Sequence, residues 1–141
     1  MNNSEIIKQI EKLLNISFEY PTEDVPLPSN AYIVAENEIK ALYLSFDSKE
    51  NLPALANLLE KLDGLVILQI KCRNLSDLSP LQNLTQIAVL DLSDNQISDL
   101  RPLSRLTQLE YLFLSGNPIS DVSPLSALTQ LELVELDNNP T

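Results

Sequence analysis

The sequence predicts an α/β solenoid. Short parallel strands build one concave sheet, irregular or 3₁₀ arcs form the convex side, and helices cap the N-terminal end. Three observations point to it. Leucine supplies 29 of the 141 residues. Its spacing repeats every 22 residues, in units that start at Leu65, Ile87 and Leu109, with a partial one at Leu131. Pro80, Pro102 and Pro124 recur in the same phase. One coil of that length cannot enclose a core, so each must bury its apolar side against the next.

The chain divides into an N-terminal cap, 1–64, and the repeats, 65–141. Within the cap, Ile6, Ile7, Ile10, Leu13 and Leu14 follow helical spacing, with Ser4 or Asn3 as the N-cap. The apolar face of this helix is a lid for the end of the array. Glu5 and Glu11 balance Lys8 and Lys12 on the other face, which does not suit a membrane surface. Pro21, Pro26 and Pro28 predict an extended connector across 20–29. Tyr32-Ile33-Val34 and Ile39 to Leu44 read as two strands of a hairpin around Glu36-Asn37-Glu38. Leu52, Leu55, Leu58, Leu59 and Leu62 mark a second helix, with Asn51 as cap and Gly64 as stop. A looser first coil begins at Ile39, with Leu42 and Leu44.

In the tight units, Leu109, Leu112 and Leu114 suit a strand whose alternate residues turn inward. Leu90, Leu92, Ile97, Leu103, Leu106, Ile119, Leu125 and Leu128 complete the expected core. Asn95, Asn117 and Asn139 recur where the chain leaves the strand. Turned inward, their amides pair with backbone groups of their own and adjacent coils, a structural role. Asp77, Asp99 and Asp121, each after a serine, suit side-chain turns that start the arc. The prolines block a second hydrogen-bonded ladder there. The unit at Leu65 departs from the pattern, with Arg73 where the others carry Asn. A guanidinium cannot replace a buried amide without a carboxylate partner. The expectation is a one-residue adjustment with Arg73 outside. Cys72 is expected to pack rather than react, since the chain has no histidine to activate it.

Composition excludes several functions. Twenty acidic against 9 basic residues give a formal net charge of −11, which repels nucleic acid and anionic membranes. With no histidine and two glycines, the common general base and any glycine-rich phosphate cradle are missing. No nucleophile–base pair stands out, so no catalytic residue, metal ligand or cofactor is expected. A single cysteine allows no internal disulfide. The first residues lack a secretory pattern, and no apolar run reaches the roughly 20 residues that span a bilayer. These features predict a cytoplasmic protein.

The pattern L-x-x-L-x-L-x-x-N-x-L resembles the leucine-rich repeat. The tail Ile-Ser-Asp-x-x-Pro-Leu-x-x-Leu-Thr is similar to the 22-residue internalin class. The resemblance covers 65–141 tightly and 39–64 loosely. The N-terminal helix with Glu5-Ile6-Ile7-Lys8-Gln9-Ile10-Glu11, the polar connector and the helical first coil resemble the start of the leucine-rich segment of bacterial Roco proteins. That resemblance implies an array joined to a GTPase, although no phosphate-binding loop occurs in this chain.

A repeat of this kind implies that strand residues between the leucines face the concave side. One column holds Ala41, Ile67, Val89, Tyr111 and Leu133; the other holds Tyr43, Gln69, Asp91, Phe113 and Glu135. Three of the seven aromatics fall there, rimmed by Asp94, Glu110, Glu132 and Asp137. This predicts a non-catalytic protein-binding surface within a larger signalling protein, for a partner with a basic or mixed surface. The alternative is a structural or self-associating segment of a Roco-type GTPase without a ligand of its own. The repeat phase persists to Asn139, so an open C-terminal end is expected, covered by further chain or by a second copy.

Overall fold

The computed structural model describes residues 2–18 and 30–140. The connector expected across 20–29, with Pro21, Pro26 and Pro28, lies outside the described residues.

Helix α1 (Asn3–Leu14) buries Ile6, Ile7, Ile10 and Leu14. Its N-cap is Asn2, not Ser4 or Asn3. The Asn2 side chain accepts from the Glu5 amide at 2.9 Å, and the Glu5 carboxylate accepts from the Asn2 amide at 3.0 Å. Glu5, three residues past Asn2, completes this reciprocal box, which neither later cap allows. The chain then turns back, and the Phe18 ring meets Tyr32 edge-on at 5.3 Å.

Strands β1 (Ala31–Ala35) and β2 (Glu38–Phe46) pair antiparallel. Glu36 and Asn37 form the turn, both at positive φ, the geometry that matches the twist of a two-residue hairpin. Helix α2 (Leu52–Leu59) follows and packs with α1 beside the sheet. Asn51 precedes it without capping it. Its amide nitrogen donates instead to the Leu13 carbonyl at 3.1 Å, one of the last carbonyls of α1 that lack a partner within the helix. Nor does Gly64 stop α2, which ends at Leu59. A Cβ at Gly64 would lie 2.7 Å from the Glu38 Cβ, so close approach of the hairpin excludes a side chain there.

From β2 onward all pairing is parallel: β3 (Ile67–Cys72), β4 (Val89–Asp91), β5 (Tyr111–Phe113) and β6 (Leu133–Glu135) complete a sheet in the order β1-β2-β3-β4-β5-β6. The 22-residue spacing sets the register, Leu68 against Leu90, Leu112 and Val134. Return arcs carry 3₁₀ turns at Ser79–Leu81, Arg101–Arg105 and Ser123–Ala127, each with its proline in the first turn. Asp77, Asp99 and Asp121 accept from the amide two residues on, at 2.9–3.0 Å. These contacts hold each carboxyl below its ordinary range, through Ser79 and Ser123 for the outer two and, chiefly, the Arg101 side chain for Asp99, which falls to about 2.

One apolar cluster runs from α1 to Leu128. Every expected core leucine and isoleucine from Leu90 to Leu128 is buried except Leu125, which is half-buried because the coil beyond it offers less cover.

The asparagine column ties coil to coil. Asn117 Oδ1 accepts from the Ile97 amide at 3.0 Å, while Nδ2 donates to the carbonyls of Leu92 and Leu114 at 3.0 and 2.9 Å. Asn139 repeats this toward Ile119, Leu114 and Leu136. Just before each asparagine the backbone turns left-handed, at Asp94, Gly116 and Asn138. Glycine, Asp and Asn tolerate that conformation best.

Cys72 holds this position in the Leu65 unit, and the turn does not form. β3 instead runs on to Cys72, pairing it with Phe46. Asn95 Oδ1 then accepts from the Cys72 amide at 2.9 Å. Arg73 is exposed as expected, but the adjustment is a longer strand and a later turn; Leu75 keeps its phase and is buried. Cys72 is buried, and burial pushes its thiol pKa up.

Candidate protein-binding face

Alternation along each strand separates two faces. Leu68, Leu90 and Leu112 enter the core, while Val89, Asp91, Tyr111 and Phe113 stay half-buried on the opposite, concave side. Strand pairing aligns these residues into two rows. The first runs Ile33, Ala41, Ile67, Val89, Tyr111 and Leu133, one residue from each of the six strands. The second runs Ala31, Tyr43, Gln69, Asp91, Phe113 and Glu135.

The first row is apolar throughout. Its ends are the most open, with Ile33 40% and Leu133 47% exposed. Ala41 departs from the expected accessible column. At 1% exposure it is covered, because its methyl group is shorter than the neighbouring Ile33 and Ile67 side chains. Ile33 was outside the expected surface. Its place emerges only from the antiparallel register, which sets it opposite Ala41; the apolar alternation of Tyr32-Ile33-Val34 was the available signal.

The second row is mixed. Gln69 Nε2 donates to Asp91 Oδ2 at 3.0 Å, and the Ser93 amide donates to Asp91 Oδ1 at 3.0 Å. Tyr43 and Phe113 are half-buried on either side of this polar pair, and Glu135 is half-buried at the β6 end. At the rim, the Tyr111 hydroxyl donates to Glu132 Oε2 at 2.7 Å. The Glu132 carboxylate favours the protonated phenol and raises its pKa. Asp94, Glu132 and Asp137 are exposed and Glu110 is half-buried. The rim of β4–β6 is therefore negative.

Asn95 and Asn117 lie under the sheet, 1% and 3% exposed with their amides spent on backbone, and half-buried Asn139 makes the same set of bonds. Their geometry is that of structural ties. Among the described residues no group of three or more His, Cys, Asp or Glu is arranged to hold a metal ion, and no helix is long and apolar enough to cross a membrane.

Comparison with known proteins agrees with this geometry. Residues 85–127 and 107–141 match the family model described as Leucine Rich repeats (2 copies). Internalin C2 from Listeria monocytogenes is 34% identical over 70% of this chain and 51% of its own, with a TM-score of 0.56. An internalin (inlF) from the same species is 30% identical over 71% of this chain and 35% of its own, also at 0.56. The chain thus spans about half of the first and about a third of the second. The leucine-rich ectodomain of the receptor kinase SOBIR1 from Arabidopsis thaliana shares the fold over 98% of this chain at 15% identity, with a TM-score of 0.53. No curated protein sequence matches the chain. The chain folds as a leucine-rich-repeat array, and its residues 85–141 carry the family's repeats.

Proposed function

We propose that this chain is a non-catalytic protein-interaction module that engages its partner across the concave face. The observation that carries the reading is the apolar row from Ile33 to Leu133, one residue on each of six strands, open on all but β2, where Ala41 is covered, and flanked by Tyr43 and Phe113. At about 4.8 Å per strand the row is roughly 24 Å long, the reach of about seven extended residues. Aromatic anchors beside a polar rim are the usual anatomy of a protein interface. The carboxylates at the rim favour a partner with a basic or mixed surface. A cytoplasmic setting within a larger signalling protein completes the reading.

The test is affinity capture from cell lysate with the wild-type chain and with Tyr111→Ala/Phe113→Ala, each checked by thermal melting. Partners lost from a variant that still folds support the reading. Partners retained in full by the folded variant overturn it.

A second reading, a structural or self-associating segment of a Roco-type protein, draws on the exposed Leu133 of the edge strand β6. A symmetric pairing through that edge would set Glu132, Glu135 and Asp137 against their own copies, which opposes it. Light scattering across a dilution series decides: a concentration-dependent dimer favours this reading, and a monomer throughout removes its self-associating form.

A further inference from the structure

We propose that the second row of the face holds an arginine-reading subsite, in which the Phe113 ring takes a guanidinium of an extended protein segment between the carboxylates of Asp91 and Glu135. The proposal rests on the concave-face reading and adds the chemistry of the partner residue at its centre.

Asp91, Phe113 and Glu135 are paired neighbours on β4, β5 and β6, so all three side chains rise from one face with the ring in the middle. At strand spacing the outer two stand about 10 Å apart at the backbone, each about 5 Å from Phe113. A cation over the ring therefore has a carboxylate on either side. Asp91 is held in place by the Gln69 amide and the Ser93 amide, one on each oxygen, and each oxygen keeps a lone pair for another donor. Glu135 forms no ion pair among the described residues.

No residue of β4, β5 or β6 supplies the balancing charge, and Lys71 of β3, exposed on the same face two residues past Gln69, forms no ion pair among the described residues. From Ile87 to Asn139 the basic residues are Arg101 and Arg105. Both lie on the 3₁₀ arc of the convex side, where Arg101 is already paired with Asp99. The face instead carries Asp91 and Glu135, with Glu110, Glu132 and Asp137 beside them. Arginine suits the place better than lysine. Its flat, weakly hydrated guanidinium stacks on an aromatic ring while its edge donates in plane to carboxylates.

The test is an NMR titration of the ¹⁵N-labelled chain with the blocked tripeptide acetyl-Leu-Arg-Leu-amide and its neutral citrulline isostere. The arginine peptide is expected to give saturable shifts at 89–91, 111–113 and 133–135, with the isostere about tenfold weaker. Asp91→Asn/Glu135→Gln should erase that preference, and Phe113→Ala should weaken the arginine peptide itself. Equal binding of both peptides to the face overturns the arginine subsite and leaves the concave-face reading standing. Shifts confined elsewhere, or none from either peptide, overturn the subsite, while the capture experiment separately judges the wider reading. Shifts on the face that follow the chain's own concentration show a second copy seated there, and also overturn it.

Discussion

Asn117 accepts the Ile97 amide of the coil before it, at 3.0 Å, and so fastens two successive repeats through a single side chain. Removing that side chain strands the Ile97 amide, while the Leu92 and Leu114 carbonyls each lose one donor and keep another, from Asn95 and Asn139. Buried groups left without partners cost about 1–3 kcal/mol each. Asn117→Ala is expected to destabilise by about 2 kcal/mol, chiefly for the stranded amide. Asn139→Ala removes the same bonds at a half-buried site, where water replaces them, and should cost about 1 kcal/mol. Urea unfolding of both variants checks the order; equal costs would mean that burial does not set the strength of these ties.

The core makes a similar graded prediction. Leu112 is fully buried in a central coil, whereas Leu125 is half-buried near the last one. Leu112→Ala is expected to cost about 2–5 kcal/mol. Leu125→Ala should cost about 1 kcal/mol, because less apolar surface is lost from the interior. An unfolding midpoint lower for Leu125→Ala than for Leu112→Ala would contradict the packing described.

Acid should loosen the arcs. Arg101 and its own amide hold the Asp99 carboxyl at about 2, against an ordinary 3.8. A carboxyl lowered on folding stabilises the protein above its unfolded value, and that stability is lost as pH falls toward the folded one. Asp77 and Asp121 shift in the same direction. Asp99→Asn should therefore lower the melting temperature at pH 6, with the gap to wild type closing between pH 4 and pH 2, roughly the interval between the two values. Melting curves that stay parallel over that range would show that the contact carries no stability.

Residues that repeat were legible in the sequence, because a fixed 22-residue phase places each copy by reference to the others. The inward Asn117, the turn-forming Asp99 and the arc at Pro102 follow from that phase alone. What escaped depends on contacts between elements. Asn51 precedes a helix as a cap does, yet its amide goes to Leu13 of the other helix. Gly64 is small because Glu38 comes close, which only the folded hairpin shows. At the N-terminal cap, the signal that favours Asn2 is Glu5, three residues on, which the spacing of the apolar residues does not carry. On the concave face, Tyr43, Tyr111 and Phe113 are readable from their columns. Ile33 and the loss of Ala41 required the β1–β2 register, and one shifted residue there would reverse both.

The proposed function requires that the concave face, not the convex arc, contacts the partner. Hydroxyl-radical footprinting of the complex with a captured partner tests it most directly, because side-chain oxidation follows exposure. Ile33 and Leu133 mark the face, and Val122, at 38% exposure on the arc, is a matched control. Oxidation of Ile33, Tyr111, Phe113 and Leu133 is predicted to fall on binding while Val122 keeps its rate. Protection of Val122 with the four face residues unchanged would place the partner on the convex arc instead.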